Sequence, residues 1–275
     1  MRPILILGAA ASLSLCLTAC PKDNEPVTSS EAADSLDEST LTAQASELTS
    51  SSVEIATNFT IGGAVANAVA ELRTFIATQL PCAAITLTQD SLSITYGAKP
   101  GVCVYRGHVY SGQHLITVVK NDTNDVEVDH RWTKLSNGIL QVSGTAQVTW
   151  SSSASTRRVK HDLTWTRMAD ARTGHGTGDE TQKSLSGGLG EGFGVDGSRT
   201  WDGKTGHYSL GASAIEWRWS DPVPQAGTWV LVTPSDKIVS LAFARVDDTR
   251  IKVTFTSGDR KYAFVIAQTG QITGG

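Results

Sequence analysis

A regular alternation of apolar and polar residues runs through "VEVDHRWTKLSNGILQVSGTAQVTW", residues 126–150. From Val126 to Trp132, apolar or aromatic residues and His130 alternate with polar ones, as in a strand with one buried face. The pair Asn137–Gly138 then favours a tight turn, and the alternation resumes from Leu140 to Trp150. A third run with the same period follows from Val159 to Trp165. These runs predict a long antiparallel meander.

Strand-like runs recur through the rest of the chain. They lie near residues 92–96, 103–119, 206–219 and 227–233, and in "KIVSLAFARV", "RIKVTFTS" and "RKYAFVIA", residues 237–246, 250–257 and 260–267. About ten to twelve strands are more than one open sheet usually carries without curling or splitting. No helices alternate with them, so a doubly wound parallel fold is disfavoured. We predict a mainly β fold, in which a long-stranded antiparallel meander forms a curved sheet, a sandwich or an open barrel.

One amphipathic helix is predicted before the strands, over about residues 63–79. Apolar residues recur there at spacings of three and four, and Pro81 provides a stop. A helix lying on a membrane surface would need a basic polar face. This face carries Glu71 and Arg73, so we expect the helix to cover part of the sheet instead.

The N-terminus has the features of an export signal: Arg2, an apolar run from Ile4 to Leu17, and small residues before a cleavage point. Its end, Leu17-Thr18-Ala19-Cys20, resembles the lipobox of bacterial lipoproteins. This resemblance covers about the first twenty residues. It implies removal of residues 1–19 and acylation of Cys20, which then anchors the protein in a bilayer through two or more acyl chains. The alternative is an ordinary secretory signal in which Cys20 is incidental.

The same resemblance bears on location. In some lipoproteins an Asp after the lipidated cysteine retains the protein in the inner membrane, and here that position is Pro21. The outer membrane of a cell envelope with a periplasm is therefore favoured. The whole chain resembles an uncharacterised lipoprotein of the Gram-negative envelope, without a match to a named family.

Residues 20–52 predict a disordered stalk. After Cys20 they hold seven acids, one base and many Ser and Thr residues. Such a composition buries too little apolar surface to offset the entropy of ordering. As a flexible coil the stalk would span roughly 30 Å. The predicted organisation is thus a signal peptide (1–19), a lipidated stalk (20–52) and a helix plus antiparallel β domain (53–275).

The cysteines agree with export. Cys16 leaves with the signal and Cys20 takes the lipid, so Cys82 and Cys103 remain in the mature chain. Two thiols in an oxidising compartment most simply form a disulfide. A redox or metal pair would favour a CxxC spacing, which these two lack.

Charge bears on the partners. Every Lys and Arg except Arg2 and Lys22 lies in residues 53–275, whereas seven of the 27 acids lie in the predicted stalk. The β domain is therefore nearly neutral, and we expect no nucleic acid partner. The expected partners are the bilayer, through Cys20, and an envelope protein or glycan.

Residues 170–206, rich in Gly, Thr, Ser and Asp, predict a mobile or functional excursion. "GFGVDG", residues 192–197, matches GxGxxG, but no helix pattern follows it, as phosphate binding requires. "GSRTWDGKT", residues 197–205, departs from P-loop spacing. Asp196 and Asp202 are too few for a calcium site. We expect no cofactor and no metal.

No catalytic motif stands out. The mature chain has six histidines, and none lies in HExxH, nor is there a GxSxG elbow. His130 and His161 could meet across neighbouring strands, but Asp129 and Asp162 would face the opposite side. We assign no catalytic residue, and a hydrolase with a dispersed triad stays open.

Four aromatic residues are candidate ligand contacts. Trp217 and Trp219 share one strand face, with Trp201 and Tyr208 shortly before. Exposed, they would stack on sugar rings or anchor a partner. Buried, they would belong to the core, which is more usual for tryptophan.

Three functions follow as hypotheses. The first is a non-enzymatic, lipid-anchored β scaffold or binding module for an envelope protein or polysaccharide. The second is a carrier whose sheet and helix enclose a lipid or another apolar ligand. The third is an envelope hydrolase with clustered carboxylates, or a histidine beside a nucleophile.

Overall fold

The computed structural model describes residues 25–57, 65–105, 108–121, 125–151, 156–269 and 271–273. The predicted signal peptide and Cys20 lie outside these residues. The helices are α1 Ser29–Thr57 and α2 Val65–Gln79. The strands are β1 Ala84–Leu87, β2 Ser91–Tyr96, β3 Val104–Tyr105, β4 His108–Val109, β5 Ser111–Asn121, β6 Asp125–Ser136, β7 Leu140–Ser151, β8 Thr156–Arg167, β9 Thr173–Leu185, β10 Gly188–Gly203, β11 Gly206–Arg218, β12 Ala226–Val232, β13 Ile238–Asp247, β14 Arg250–Ser257, β15 Arg260–Ala267 and β16 Ile272–Thr273.

The predicted antiparallel meander is confirmed. Fourteen strands form one sheet in which each pairs with the next along the chain, apart from the small β3–β4 hairpin inserted between β2 and β5. The sheet does not close, and β1 and β16 are its edges. The face that carries the buried side chains is called the inner face below, and the opposite one the outer face.

The prediction that residues 170–206 form an excursion from the sheet is wrong, because this segment forms β9, β10 and the start of β11. In β9 the exposed residues alternate with Gly174, Gly176 and Gly178. These glycines make room for large side chains of the neighbouring strands. A Cβ at Gly174 would lie 2.7 Å from the Trp165 ring, and one at Gly178 would lie 2.3 Å from Nε2 of His161. Inward and outward positions therefore alternate in β9 as in the other strands, but the inward positions are glycines and carry no side chain.

The prediction of a disordered stalk is also wrong for residues 29–52, which lie in α1. From Leu41 to Val53 all residues are buried except three that are half-buried, namely Gln44, Ser46 and Glu47. A flat sheet covers only one side of a helix. Burial on all sides therefore means that the sheet curls around α1.

A polar helix can be buried here because its side chains are small and bond to its own backbone. Ser39 Oγ donates to the carbonyl of Ser35 at 2.7 Å, and Thr49 Oγ1 donates to the carbonyl of Ala45 at 3.1 Å. Such bonds satisfy a hydroxyl without a partner on the sheet. The composition that suggested disorder thus also suits a helix enclosed by β strands.

The start of α1 is fixed by a capping box. Thr28 Oγ1 accepts from the Glu31 backbone N–H at 3.2 Å, and Glu31 Oε2 accepts from the Thr28 N–H at 2.7 Å. Lys237 on the sheet lies 2.8 Å from Glu31 Oε2. The hydrogen bond from Lys237 is the main cause that lowers the pKa of Glu31 to about 2.

Two further acids of the predicted stalk hold α1 to the β8–β9 end of the sheet. Asp37 pairs with Arg167 at 2.8 Å, and Glu38 pairs with Arg172 at 2.5 Å. Glu38 Oε1 also accepts from the Lys204 N–H at 2.9 Å. Asp37 and Glu38 therefore attach α1 to the sheet through ion pairs, instead of keeping a charged stalk extended in solvent.

The predicted helix at 63–79 is confirmed as α2, which packs against β1, β2 and β5. Its buried residues Val69, Leu72 and Ile76 follow the spacing of three and four. The predicted disulfide is confirmed as well, with the Cα atoms of Cys82 and Cys103 5.4 Å apart.

Candidate functional site

A recess lies between α1 and the inner face of β9 to β12. It contains about 350 Å³ of space not filled by atoms, a figure that includes open solvent, and the centre of a water molecule can occupy about 20 Å³ of it. From α1 it is lined by Ala43, Ser46, Glu47 and Ser50, and from the sheet by Glu180, Phe193, Val195, Arg199, Ala212, Ile215, Trp217 and Trp229.

The sheet side of the recess is mainly apolar because alternate positions of β10, β11 and β12 point inward. Phe193 on β10 pairs with Trp217 on β11, and Ala212 on β11 pairs with Trp229 on β12. The rings of Trp217 and Trp229 lie 6.2 Å apart, in a tilted arrangement. Small residues from α1 face this wall, which is why the helix leaves room there.

One charged residue, Arg199, lies within this mainly apolar lining. Arg199 is only 6% exposed, and its guanidinium carbon lies 5.4 Å from the ring centre of Trp229. Its Nη1 donates to Ser46 Oγ at 3.1 Å and to the Thr42 carbonyl at 3.5 Å. Burial lowers the pKa of Arg199, although the negative charge of Glu180 opposes this effect.

The Nε–H of Arg199 is left without a hydrogen bond among the described residues. Its closest acid is Glu180, whose Oε1 lies 4.0 Å from Nε. This separation allows charge attraction but is too long for a hydrogen bond. Nε of Arg199 is therefore a buried donor that has a carboxylate nearby but no hydrogen-bond acceptor among the described residues.

Trp217 supplies a second donor. Its indole is 6% exposed, and Nε1 finds no acceptor in the part of the chain that the structure describes. Arg199 opposes Leu210 across the β10–β11 ladder, whereas Trp217 opposes Phe193. The two donors therefore approach the recess from different ends.

A hydrogen-bonded row lies elsewhere on the inner face. The Tyr96 hydroxyl is 3.2 Å from Nδ1 of His114, and Nε2 of His114 is 2.9 Å from Nδ1 of His130. Burial lowers the pKa of His130 to about 3, with the positive charge of Arg157 adding to the effect. Burial and then His130 hold the pKa of His114 well below its usual value. Both imidazoles are therefore neutral near pH 7.

The prediction that His130 and His161 meet is wrong. Strand β7 lies between their strands, and both histidines oppose Ala146 on it. His161 instead lies over Gly178, with neither ring nitrogen hydrogen-bonded within the described residues. Burial lowers the pKa of His161, partly offset by Glu180.

The outer face carries two histidine–carboxylate pairs that sequence analysis missed. Nε2 of His175 is 2.7 Å from Asp162, and Nδ1 of His207 is 2.9 Å from Asp202. Asp162 does face away from the buried His161, as predicted. Since all four side chains are more than half exposed, these pairs lie on an open surface rather than in the recess.

The four predicted aromatic contacts are placed differently from one another. Trp201 and Tyr208 are stacked in the core, with ring centres 5.3 Å apart. Trp219 is half-buried against Phe193, and Trp217 lines the recess. A ligand role for these residues stays a prediction, and the recess concerns Trp217 alone.

Sequence reasoning missed Arg199, the main polar group of the recess. The signal was present, because Arg199 occupies an inward position of β10 two residues before the buried Trp201. A charged residue at a core position is unusual and points to a specific partner. The glycines of β10 hid this alternation.

No protein-family model matches the chain, and no curated protein or solved structure matches it either. Among the described residues, no group of three or more His, Cys, Asp or Glu side chains is arranged to hold a metal ion. Neither described helix is long and apolar enough to cross a membrane.

Proposed function

We propose that this protein is a lipid-anchored lipoprotein of the bacterial envelope whose β domain binds an apolar ligand in the recess under α1. The observation that carries the proposal is the recess itself, with an aromatic and aliphatic wall and one buried cation. Ligand sites are typically concave, mostly apolar, and supplied with a few fixed polar groups. The carrier hypothesis therefore ranks above the scaffold hypothesis, which the sequence alone favoured.

A scaffold is the second candidate. It is favoured by the extent to which α1 fills the inner face, since Leu41 to Val53 are buried almost throughout. In that case the partner, an envelope protein or glycan, would contact the outer face. A binding measurement at the recess separates the two candidates.

The recess is tested with an apolar fluorophore, N-phenylnaphthylamine, whose emission rises on transfer from water to an apolar site. We expect Ala212→Leu to weaken binding several-fold, because Ala212 lines the recess. Ser213→Leu is the matched control, since Ser213 is the next residue of β11 and is exposed. A wild-type protein that fails to bind the probe would refute the carrier and leave the scaffold.

The anchoring part of the proposal rests on the lipobox that ends at Cys20 and is supported by the Cys82–Cys103 disulfide, which is typical of an oxidising compartment. Pro21 favours the outer membrane. Seven peptide links join Cys20 to Val27, a reach of at most about 25 Å. Because the Val27 backbone is bonded to Ser257 and Arg260 on the sheet, the domain would lie close to the bilayer.

Anchoring is tested by Cys20→Ala. The variant should move from the membrane fraction to the soluble fraction and lose metabolic labelling with palmitate. Cys16→Ala, which changes a residue of the apolar run, should do neither. Unchanged fractionation of Cys20→Ala would contradict the lipid anchor.

A further inference from the structure

We propose that one end of the sheet docks on the bilayer through exposed apolar side chains of its turns, chiefly Val102, Ile139 and Met168. This inference rests on the lipid anchor of the proposed function and adds a second, non-covalent contact with the membrane. It is carried by the position of the turns in the meander, by the exposure of their apolar side chains, and by the short chain between Cys20 and Val27.

The turns of the meander fall into two groups, because successive turns of an antiparallel meander lie at opposite ends of the sheet. The connections β6–β7, β8–β9, β10–β11, β12–β13 and β14–β15 share one end with the β2–β5 connection, which carries the β3–β4 hairpin. The backbone of Val27 is bonded to Ser257 and Arg260, on either side of the β14–β15 turn. The end that holds Val27 is called the proximal end below, and the opposite one the distal end.

Exposed apolar side chains are concentrated at the proximal end. Among the large apolar residues that the structure describes, Val102, Ile139 and Met168 are the most exposed, at 70%, 64% and 51%. All three lie in connections of the proximal end. Single exposed apolar residues are normal on a protein surface, whereas a group of them marks a contact surface.

Two of these residues are neighbours in space. Ile139 belongs to the β6–β7 turn and Met168 to the β8–β9 turn, and β7 pairs with β8. The backbone N–H of Met168 donates to the Ile139 carbonyl at 2.9 Å. The two turns therefore present their apolar side chains side by side.

The β3–β4 hairpin adds further apolar side chains next to this pair. Val102 and Val104 are exposed on either side of the buried Cys103, and the exposed Val109 pairs with Val104. Strand β5 follows at Ser111, which pairs with the last residue of β6. The hairpin thus lies beside the β6–β7 turn, and its position is fixed by the disulfide through Cys103.

The short link to Cys20 identifies the bilayer as the occupant of this surface. Cys20 lies seven peptide links from Val27, a reach of at most about 25 Å. The acyl chains would therefore hold the proximal end, rather than the distal one, against the membrane. Aliphatic side chains at that position gain free energy by leaving water for the acyl region.

Charge does not determine this contact. Exposed charges of both signs, among them Lys204, Asp236 and Asp259, share the proximal end. Attraction to anionic head groups requires a cluster of basic residues instead. We therefore expect the contact to be the same with neutral and anionic lipids and to persist at high salt.

The first test uses the lipidated protein on phosphatidylcholine vesicles. With Cys20 acylated and Cys82 bridged to Cys103, Ile139→Cys provides a single thiol for the fluorophore nitrobenzoxadiazole. Its emission should rise on the vesicles and be quenched by phosphatidylcholine that carries a nitroxide on its acyl chain. Val246→Cys is the matched control, because Val246 is 50% exposed but lies at the distal end of β13. A label there should show neither change.

The second test needs no label and no acyl chain. The Cys20→Ala protein should partition weakly into vesicles at high lipid concentration, although on dilution it stays soluble. Adding Ile139→Asn and Met168→Gln should lower this partition roughly tenfold or more, because two side chains lose their apolar contact. Val246→Asn should change it by less than about twofold. Urea unfolding of each variant checks that the domain is still folded.

The outcomes separate docking from anchoring. Lipidated protein that does not float with vesicles would overturn the anchor of the proposed function. Protein that floats while the labels at positions 139 and 246 respond alike would overturn docking by the proximal end and leave the anchor. Equal partition of the Cys20→Ala protein with and without Ile139→Asn and Met168→Gln would also overturn docking, and would leave a protein partner as the occupant of this surface.

Discussion

The buried histidines make the domain sensitive to mild acid. Folding keeps His114 and His130 neutral, because burial lowers the pKa of both, that of His130 to about 3. In the unfolded chain each titrates near its ordinary pKa of about 6.5. The unfolded state then binds more protons as the pH falls below that value. Their contribution to stability is thus complete above pH 6.5 and is lost on acidification.

The size of the effect follows from proton linkage. Between pH 6.5 and 5.5 an unfolded histidine goes from half to mostly protonated, which costs the folded state about 1 kcal/mol for each neutral histidine. His114 and His130 together should lower the free energy of unfolding by about 2 kcal/mol over this interval. The pKa of Glu31, lowered to about 2 by Lys237, adds its own loss only as the pH falls below about 4.5.

The assay is urea unfolding, followed by tryptophan fluorescence, at several pH values between 7.5 and 5. His130→Gln should remove about 1 kcal/mol of the loss between pH 6.5 and 5.5, even where it lowers stability at every pH, whereas His114 and His161, whose pKa values burial also lowers, should keep the rest. A free energy of unfolding that stays constant from pH 6.5 to 5.5 would refute the reasoning. So would a slope that His130→Gln does not alter.

Two further predictions concern stability. Glu38→Gln breaks the ion pair with Arg172, in which the Glu38 side chain is only 3% exposed, and should lower the free energy of unfolding by about 3 kcal/mol in the same urea assay. Asp34→Asn, at an exposed position of α1, should change the free energy of unfolding by less than about 0.5 kcal/mol. Equal effects of the two variants would argue against docking of α1 on the sheet. Replacing Cys82 and Cys103 together by serine removes a disulfide with a sequence separation of 21 and should lower the free energy of unfolding by about 3 kcal/mol. If thiol labelling of the denatured, unreduced wild-type chain found both cysteines free, the disulfide would be contradicted.

The parts of the fold that the sequence predicted depend on local patterns. The meander from Val126 to Trp165 has one buried and one polar face, so its period is visible in the residue order. The disulfide followed from counting cysteines after export. In α2, Val69, Leu72 and Ile76 mark one apolar side. Each of these features can be read within a short window or from composition.

The parts that sequence reasoning missed depend on contacts between distant segments. The Ser and Thr residues of α1 suggested disorder, and only enclosure by the sheet makes them buried. A local signal was still available, because Thr28 and Glu31 have the spacing of a capping box. In β9, Trp165 and His161 of the neighbouring strand β8 fill the space over the inward glycines. The glycines could therefore be recognised as strand positions only once the pairing of β8 with β9 was known.

The candidate site belongs to this second class. Its wall comes from four strands, β9 to β12, and its other side from α1, which the sequence placed in solvent. Trp217 was named from the sequence as a possible ligand contact, and it does line the recess. Arg199 was not, because its role depends on the burial that α1 provides.

Ligand binding in the cell can be examined by native mass spectrometry of the Cys20→Ala protein, recovered from the soluble fraction of the cells that export it. We predict a population heavier than the bare chain by the mass of an apolar ligand, released by organic solvent and reduced in Ala212→Leu but not in Ser213→Leu. A single species with the mass of the bare chain, unchanged after incubation with N-phenylnaphthylamine, would contradict the claim that the recess under α1 binds an apolar ligand.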